Sequence, residues 1–401
     1  MKGVWKNRLS RSSRQRRAGV LTAAVLALGT AACGSVAAAP VRPAGSGVIS
    51  PSMATSIETP AGSWAVVPMG TLTDPLNTFW QLFFRPNGAS GWSDEASSLA
   101  VATNGGLALA TFGRGSLAVA IRPANRLDYS PLLVTADSGR AWSPAPPVGG
   151  VAKVPDALAV GARGSGLALT TGTTGNDVFE SAGGLTGWKE LTSSGTLQSS
   201  AAGRACGLAS ITAVGVVATN ALVGGDCRRA GVAGIFAETP DGWRLTPLAL
   251  PAALRHEPVD VLALQPTQGG VCALLATAGN EGTSLVAACT GEDANWTVSP
   301  ILDLGSGHVV SVGSNDGSGL FVLAARAASE SIDVLSEPAA TWSRLQNPPA
   351  GTQTLVFGVA SKVDALSVTN ATFTDSALSS ASGHWTKVQV IDVPIQYGSS
   401  G

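Results

Sequence analysis

Few side chains in this sequence have the type and spacing to do covalent chemistry. His256, His308 and His384 stand alone, and no two cysteines show Cys-x-x-Cys spacing. Neither a zinc cage nor a dithiol redox centre is therefore expected. No Gly-x-Ser-x-Gly elbow, Gly-rich phosphate loop or His-Glu-x-x-His occurs, which removes the common nucleophile, nucleotide and metalloprotease motifs. Glycoside hydrolysis needs two carboxyl groups flanking one bond. Glu190, Asp226, Glu257 and Asp260 are loop candidates, but nothing in their spacing pairs them. The sequence thus predicts no catalytic residue, no metal and no cofactor.

The scaffold that would carry any site is more legible. The chain has 401 residues, 45% apolar and 13% charged, with 49 Gly and 23 Pro. That is enough apolar surface for a core and has no collagen period. No apolar run is long enough for a multi-span membrane protein. Residues 1–17 carry Lys2, Lys6, Arg8, Arg11, Arg14, Arg16 and Arg17 and no acid. The remainder holds 18 basic against 26 acidic residues, near −8. Nucleic-acid binding, which needs excess cations for phosphates, is not expected.

The basic stretch leads into an apolar segment, Ala18 to Ala32, and then Cys33-Gly-Ser. A charged start, a short apolar run and a small-residue exit predict a signal peptide over 1–32. Thr30-Ala31-Ala32-Cys33 resembles the lipobox of bacterial lipoproteins, with Thr30 where that family prefers Leu. The resemblance implies a lipid on Cys33 and attachment to the outer face of the bacterial cytoplasmic membrane. The alternative is cleavage after Ala37-Ala38-Ala39 and secretion. Residues 33–60, rich in small residues and Pro, read as the lipidated Cys and a flexible linker. Residues 394–401 read as a disordered tail.

Cys33 set apart, Cys206, Cys227, Cys272 and Cys289 remain. An even number in an exported chain predicts two disulfides. The pairs nearest in sequence are 206–227 and 272–289, with free buried thiols as the alternative.

An internal repeat governs the fold. Trp92, Trp142, Trp188, Trp243, Trp296, Trp342 and Trp385 recur at gaps of 43 to 55 residues. Upstream of them run short apolar segments separated by Gly-rich turns, as in Val309–Gly313, Gly319–Leu323, Ser331–Ser336 and Trp342–Leu345. Four short strands per unit, seven times over, predict an all-β, seven-bladed β-propeller of four-stranded blades across 61–393. Helices should be scarce, because no long 3.6-residue period appears. A set of β-sandwich domains is the competing architecture.

Thr135-Ala-Asp137-Ser-Gly139-Arg-Ala-Trp142 resembles the Asp box of the BNR-repeat, sialidase-like propellers, with Ala141 in place of Thr. The resemblance implies a bracing Asp137 in a turn between outer strands and Trp142 packed beneath it. The box is structural and transfers no activity. Sialidases use a Tyr–Glu pair and three arginines. Here only Tyr129 and Tyr397 exist, and Arg85-Pro86 and Arg122-Pro123 echo the family's opening motif without its Ile. The reading is a tethered, monomeric, non-catalytic binding or scaffold module for a protein or glycan. The alternatives are a BNR-type glycoside hydrolase and an assembly factor for a membrane complex.

Overall fold

The computed structural model describes residues 56–393 apart from 70–78, 96–106, 113–115, 122–131, 147, 149–154, 162–163, 173, 218, 268–269, 280–281, 292–294, 316–318, 327–328, 337–340, 359–361 and 381. The expected signal peptide, Cys33 and the tail from 394 lie outside the described residues.

Seven antiparallel sheets follow one another, over residues 56–94, 107–145, 155–193, 208–245, 260–298, 308–344 and 354–392. They are blades 1 to 7. Each is a four-stranded meander in chain order from the inner to the outer strand, and blade 5 adds a short strand, Leu302–Gly305. Neighbouring inner strands touch from blade 1 through blade 7, and blade 7 touches blade 1. The protein is a seven-bladed β-propeller. Its first strand begins at Ser56, ahead of the boundary expected at 61. Pro60 and Ala61 there form a turn, not a linker: Thr59 Oγ1 accepts the N–H groups of Ala61 and Gly62, each at 3.2 Å.

The seven repeating indoles share one environment. Each sits within one residue of the start of its blade's outer strand. Each packs into the apolar seam with the preceding blade, from Trp142 between blades 1 and 2 to Trp92 between 7 and 1. Both faces of a blade are therefore covered. That is why strands inside a blade read as apolar runs, such as Val271–Ala276 in the second strand of blade 5, without strict alternation.

Two short helices lie between blades 3 and 4, α1 (Ser194–Ser199) and α2 (Ala201–Cys206). Ser193 caps α1 and Ser200 caps α2 by accepting backbone N–H groups, and Gly207 ends α2 in the left-handed region at φ 66°. The capping signals were present in the sequence, but six residues are too few to show a helical period.

Both disulfides form as the nearest pairs, Cys206–Cys227 and Cys272–Cys289. The first ties α2 to the end of blade 4's second strand. The second joins directly opposed residues of the second and third strands of blade 5. Replacing Cys206 and Cys227 by Ala should cost about 3 kcal/mol through loop-closure entropy. Urea unfolding with and without reductant checks this. Wild type should match the variant only when reduced.

The two ends of the ring meet without exchanging a strand, because blade 1 uses only residues 56–94 and blade 7 only 354–392. Side chains close the seam instead. Phe83 stacks on Phe373 at 4.1 Å. Ser56 Oγ donates to the Leu355 carbonyl and Thr354 Oγ1 to the Val66 carbonyl, both at 2.7 Å. Within the seam Arg85 pairs with Asp364 at 2.5 Å and lies over the Trp92 ring at 4.5 Å. Lys362 Nζ approaches the other Asp364 oxygen at 3.2 Å, and Trp92 Nε1 donates to Asp375 at 3.2 Å.

Candidate functional site

In a four-stranded meander the first strand begins, the second-to-third turn lies, and the fourth strand ends on one face of the ring. We term this the entry face. The first-to-second and third-to-fourth turns lie on the opposite face. There, between blades 1 and 2, a cleft of about 470 Å3 is lined by Ala61, Phe84, Pro86, Ser93, Glu95, Asp137, Ser138 and Arg140.

Local structure builds each wall. The blade 1 wall is fixed where Asn87 Nδ2 donates to the Pro60 carbonyl at 2.8 Å and Asn87 N–H to the Ala61 carbonyl at 3.0 Å. Glu95 is held by Ser93 Oγ, which donates to its Oε1 at 2.8 Å, and by its own N–H to the Leu82 carbonyl at 2.7 Å.

The blade 2 wall is the turn Thr135–Trp142. Thr135 is buried, and its hydroxyl donates to Asp137 at 2.9 Å and accepts the Gly139 N–H at 2.9 Å. Asp137 in turn accepts the Ala141 N–H at 2.9 Å. These bonds to the ionised form hold its carboxyl below the usual aspartate range, the Ala141 N–H contributing most. Gly139 adopts φ 89°, and a Cβ there would come within 2.9 Å of the Trp64 ring. Both conditions exclude a side chain. Trp142 packs edge-on against Trp64, ring centroids 5.9 Å apart.

Chemically, the cleft offers two carboxylates, of which Asp137 is bonded within its turn, a guanidinium, two hydroxyls and a proline face. The aromatic rings beneath are closed off: Trp64 is 0% and Phe84 5% exposed. Among the described residues that line the cleft, none offers an open aromatic face for stacking a sugar. Asp137 is committed to the turn and stays ionised, so it is unsuited to act as a general acid.

The structure scatters the carboxylates singled out from sequence. Glu190 lies exposed on the outer strand of blade 3. Asp226 accepts the Ser210 hydroxyl at 2.9 Å in blade 4. Glu257 and Asp260 flank the entrance to blade 5. Arg85, one of the two Arg-Pro arginines, is buried in the seam against Asp364. Arg122, Tyr129 and Tyr397 lie outside the described residues. Among the described residues no group of three or more His, Cys, Asp or Glu could hold a metal ion. Sequence reasoning missed the Glu95–Arg140 cleft, because its two walls belong to different blades. Their only signal was the turn motif at 135–142.

No family pattern and no curated protein matches the chain. Solved structures do. A GH74 xyloglucanase from Xanthomonas campestris is 14% identical, with a TM-score of 0.50, over 83% of this chain and 52% of that one. The chain thus spans about half the xyloglucanase's length. A protein from Lactobacillus plantarum is 12% identical, with a TM-score of 0.49, over 82% and 96%. YCF48 from Cyanidioschyzon merolae is 15% identical, with a TM-score of 0.46, over 79% and 93%. At these identities the likeness concerns the propeller fold alone.

Proposed function

We propose that this chain is an exported lipoprotein, tethered through Cys33, whose propeller binds a segment of a protein partner in the cleft between blades 1 and 2. The cleft's composition carries the reading. Glu95 and Arg140 present opposite charges across a polar rim, which suits the amides and charged side chains of a polypeptide. The buried aromatics disfavour a glycan, which needs an open ring face. The turn at 135–142, similar to an Asp box, serves this reading as a rigid wall.

Co-purification from the native membrane tests it. The double variant Glu95→Gln/Arg140→Gln should retain the fold and lose at least about tenfold of the partner recovered, the worth of one charged hydrogen bond. Equal recovery by wild type and variant removes the cleft from the reading. Turnover of fluorogenic glycosides by the purified protein would favour a glycoside hydrolase instead. The anchor is tested separately: Cys33→Ala should move the protein from the membrane to the soluble fraction.

A further inference from the structure

We infer that Arg204, Arg228, Arg229 and Arg255 form a docking surface for anionic phospholipid headgroups on the entry face of the propeller.

Three chain segments build the surface. Arg204 is in α2, Arg228 and Arg229 follow the second strand of blade 4, and Arg255 lies on the connection to blade 5. The Cys206–Cys227 disulfide joins the first two. Arg228 N–H donates to the Gly207 carbonyl and Arg229 N–H to that of Cys206, both at 3.1 Å. The third segment is tied by Gly231 N–H to the Glu257 carbonyl at 2.9 Å, and Gly231 packs against the Arg255 backbone. All four side chains are exposed, as is neighbouring His256.

Their charges are not neutralised locally. Arg204 donates to the Ser199 carbonyl, and Arg255 Nε to the Leu250 carbonyl at 3.5 Å. Among the described residues none of the four is in an ion pair. Glu257 and Asp226 are the acids beside the cluster; both are half-buried, and Asp226 accepts the Ser210 hydroxyl. Past residue 17 the chain carries 18 basic and 26 acidic residues, so four gathered arginines stand against the general field. Such a cluster matches a negatively charged headgroup layer.

Chain direction supplies the choice of a bilayer as partner. The segment following Cys33 enters the fold at Ser56, the start of the first inner strand, beside Leu355 near the start of the seventh. Both strand starts lie on the entry face, as does the 228–233 turn. The part of the chain that bears Cys33 therefore joins the propeller on the same face as the arginines. The choice of a bilayer rests on the tethering reading; the cluster does not.

The test is co-sedimentation of the full chain carrying Cys33→Ala with phosphatidylcholine vesicles, with and without phosphatidylglycerol. Residues 1–17 contribute equally to every variant. Arg228→Gln/Arg229→Gln should lower partitioning onto the anionic vesicles about 25-fold, about fivefold per arginine. Lys189→Gln/Lys387→Gln, equal in charge and away from the entry face, should change it little. Wild-type binding should also fall steeply with added salt. Equal loss in the two double variants overturns the inference, as does binding unaffected by phosphatidylglycerol or by salt. In cells, membrane retention of Cys33→Ala that persists when Arg228→Gln/Arg229→Gln is added would defeat the anchor reading without touching this one.

Discussion

Arg85→Met is expected to destabilise the fold by about 3–5 kcal/mol, the usual cost of removing one partner of a buried ion pair. Arg85 lies 2.5 Å from Asp364 and 4.5 Å over the Trp92 ring, and the Asp364 and Asp375 side chains are fully buried. Without the guanidinium, two carboxyl groups share a dry seam. The remaining cation, Lys362, is 41% exposed and forms its ion pair with Asp364. The seam has no shared strand, so the loss falls where the ring depends most on side chains. Urea unfolding followed by Trp fluorescence measures it. Arg85→Met/Asp364→Asn should recover part of the loss, because it removes the stranded charge as well. A cost below about 1 kcal/mol for the single variant would mean that the pair does not hold the ring closed.

Asp375 makes the same seam sensitive to pH. Burial, reinforced by the neighbouring Asp364 carboxylate, pushes its carboxyl up to about 7, against the opposing pull of Arg85, Lys362 and the Trp92 N–H. The folded state therefore holds a proton that the unfolded chain releases near pH 4. Between about pH 4 and pH 7 the folded state binds more protons, so stability falls as pH rises through that window. The rise from near 4 to about 7 corresponds to a loss of about 4 kcal/mol, complete above pH 7. Asp375→Asn keeps an oxygen for Trp92 Nε1 and cannot ionise. It should match wild type near pH 4 and exceed it by a few kcal/mol at pH 8. Thermal unfolding across this range checks the sign. Parallel curves for the two proteins would show that Asp375 is not the group responsible.

The sequence by itself determined the blade count and the outer-strand starts, and it named the nearest cysteine pairs while leaving their bonding open against free thiols. These are written over short stretches. A turn followed by an indole recurs from Trp92 to Trp385, and each copy solves the same packing problem against the preceding blade. Cys272 and Cys289 lie on adjacent strands of one hairpin, so nearness in sequence became nearness in space. The 135–142 turn is likewise local, since Thr135, Asp137 and Gly139 bond within it. The first strand escaped notice because Ser56–Thr59 and Pro60 have a linker's composition.

Only the tertiary structure decided what happens between blades. Closing the ring sets Arg85 against Asp364 and Trp92 against Asp375, pairings that no short window of sequence contains. The same holds for the Glu95–Arg140 cleft and for the arginines gathered from three segments. The physical reason is the range of the forces involved. Turn preference and strand period act over a few residues, whereas burial and charge pairing depend on which distant segments exclude water from one another, and that is fixed when the last blade meets the first.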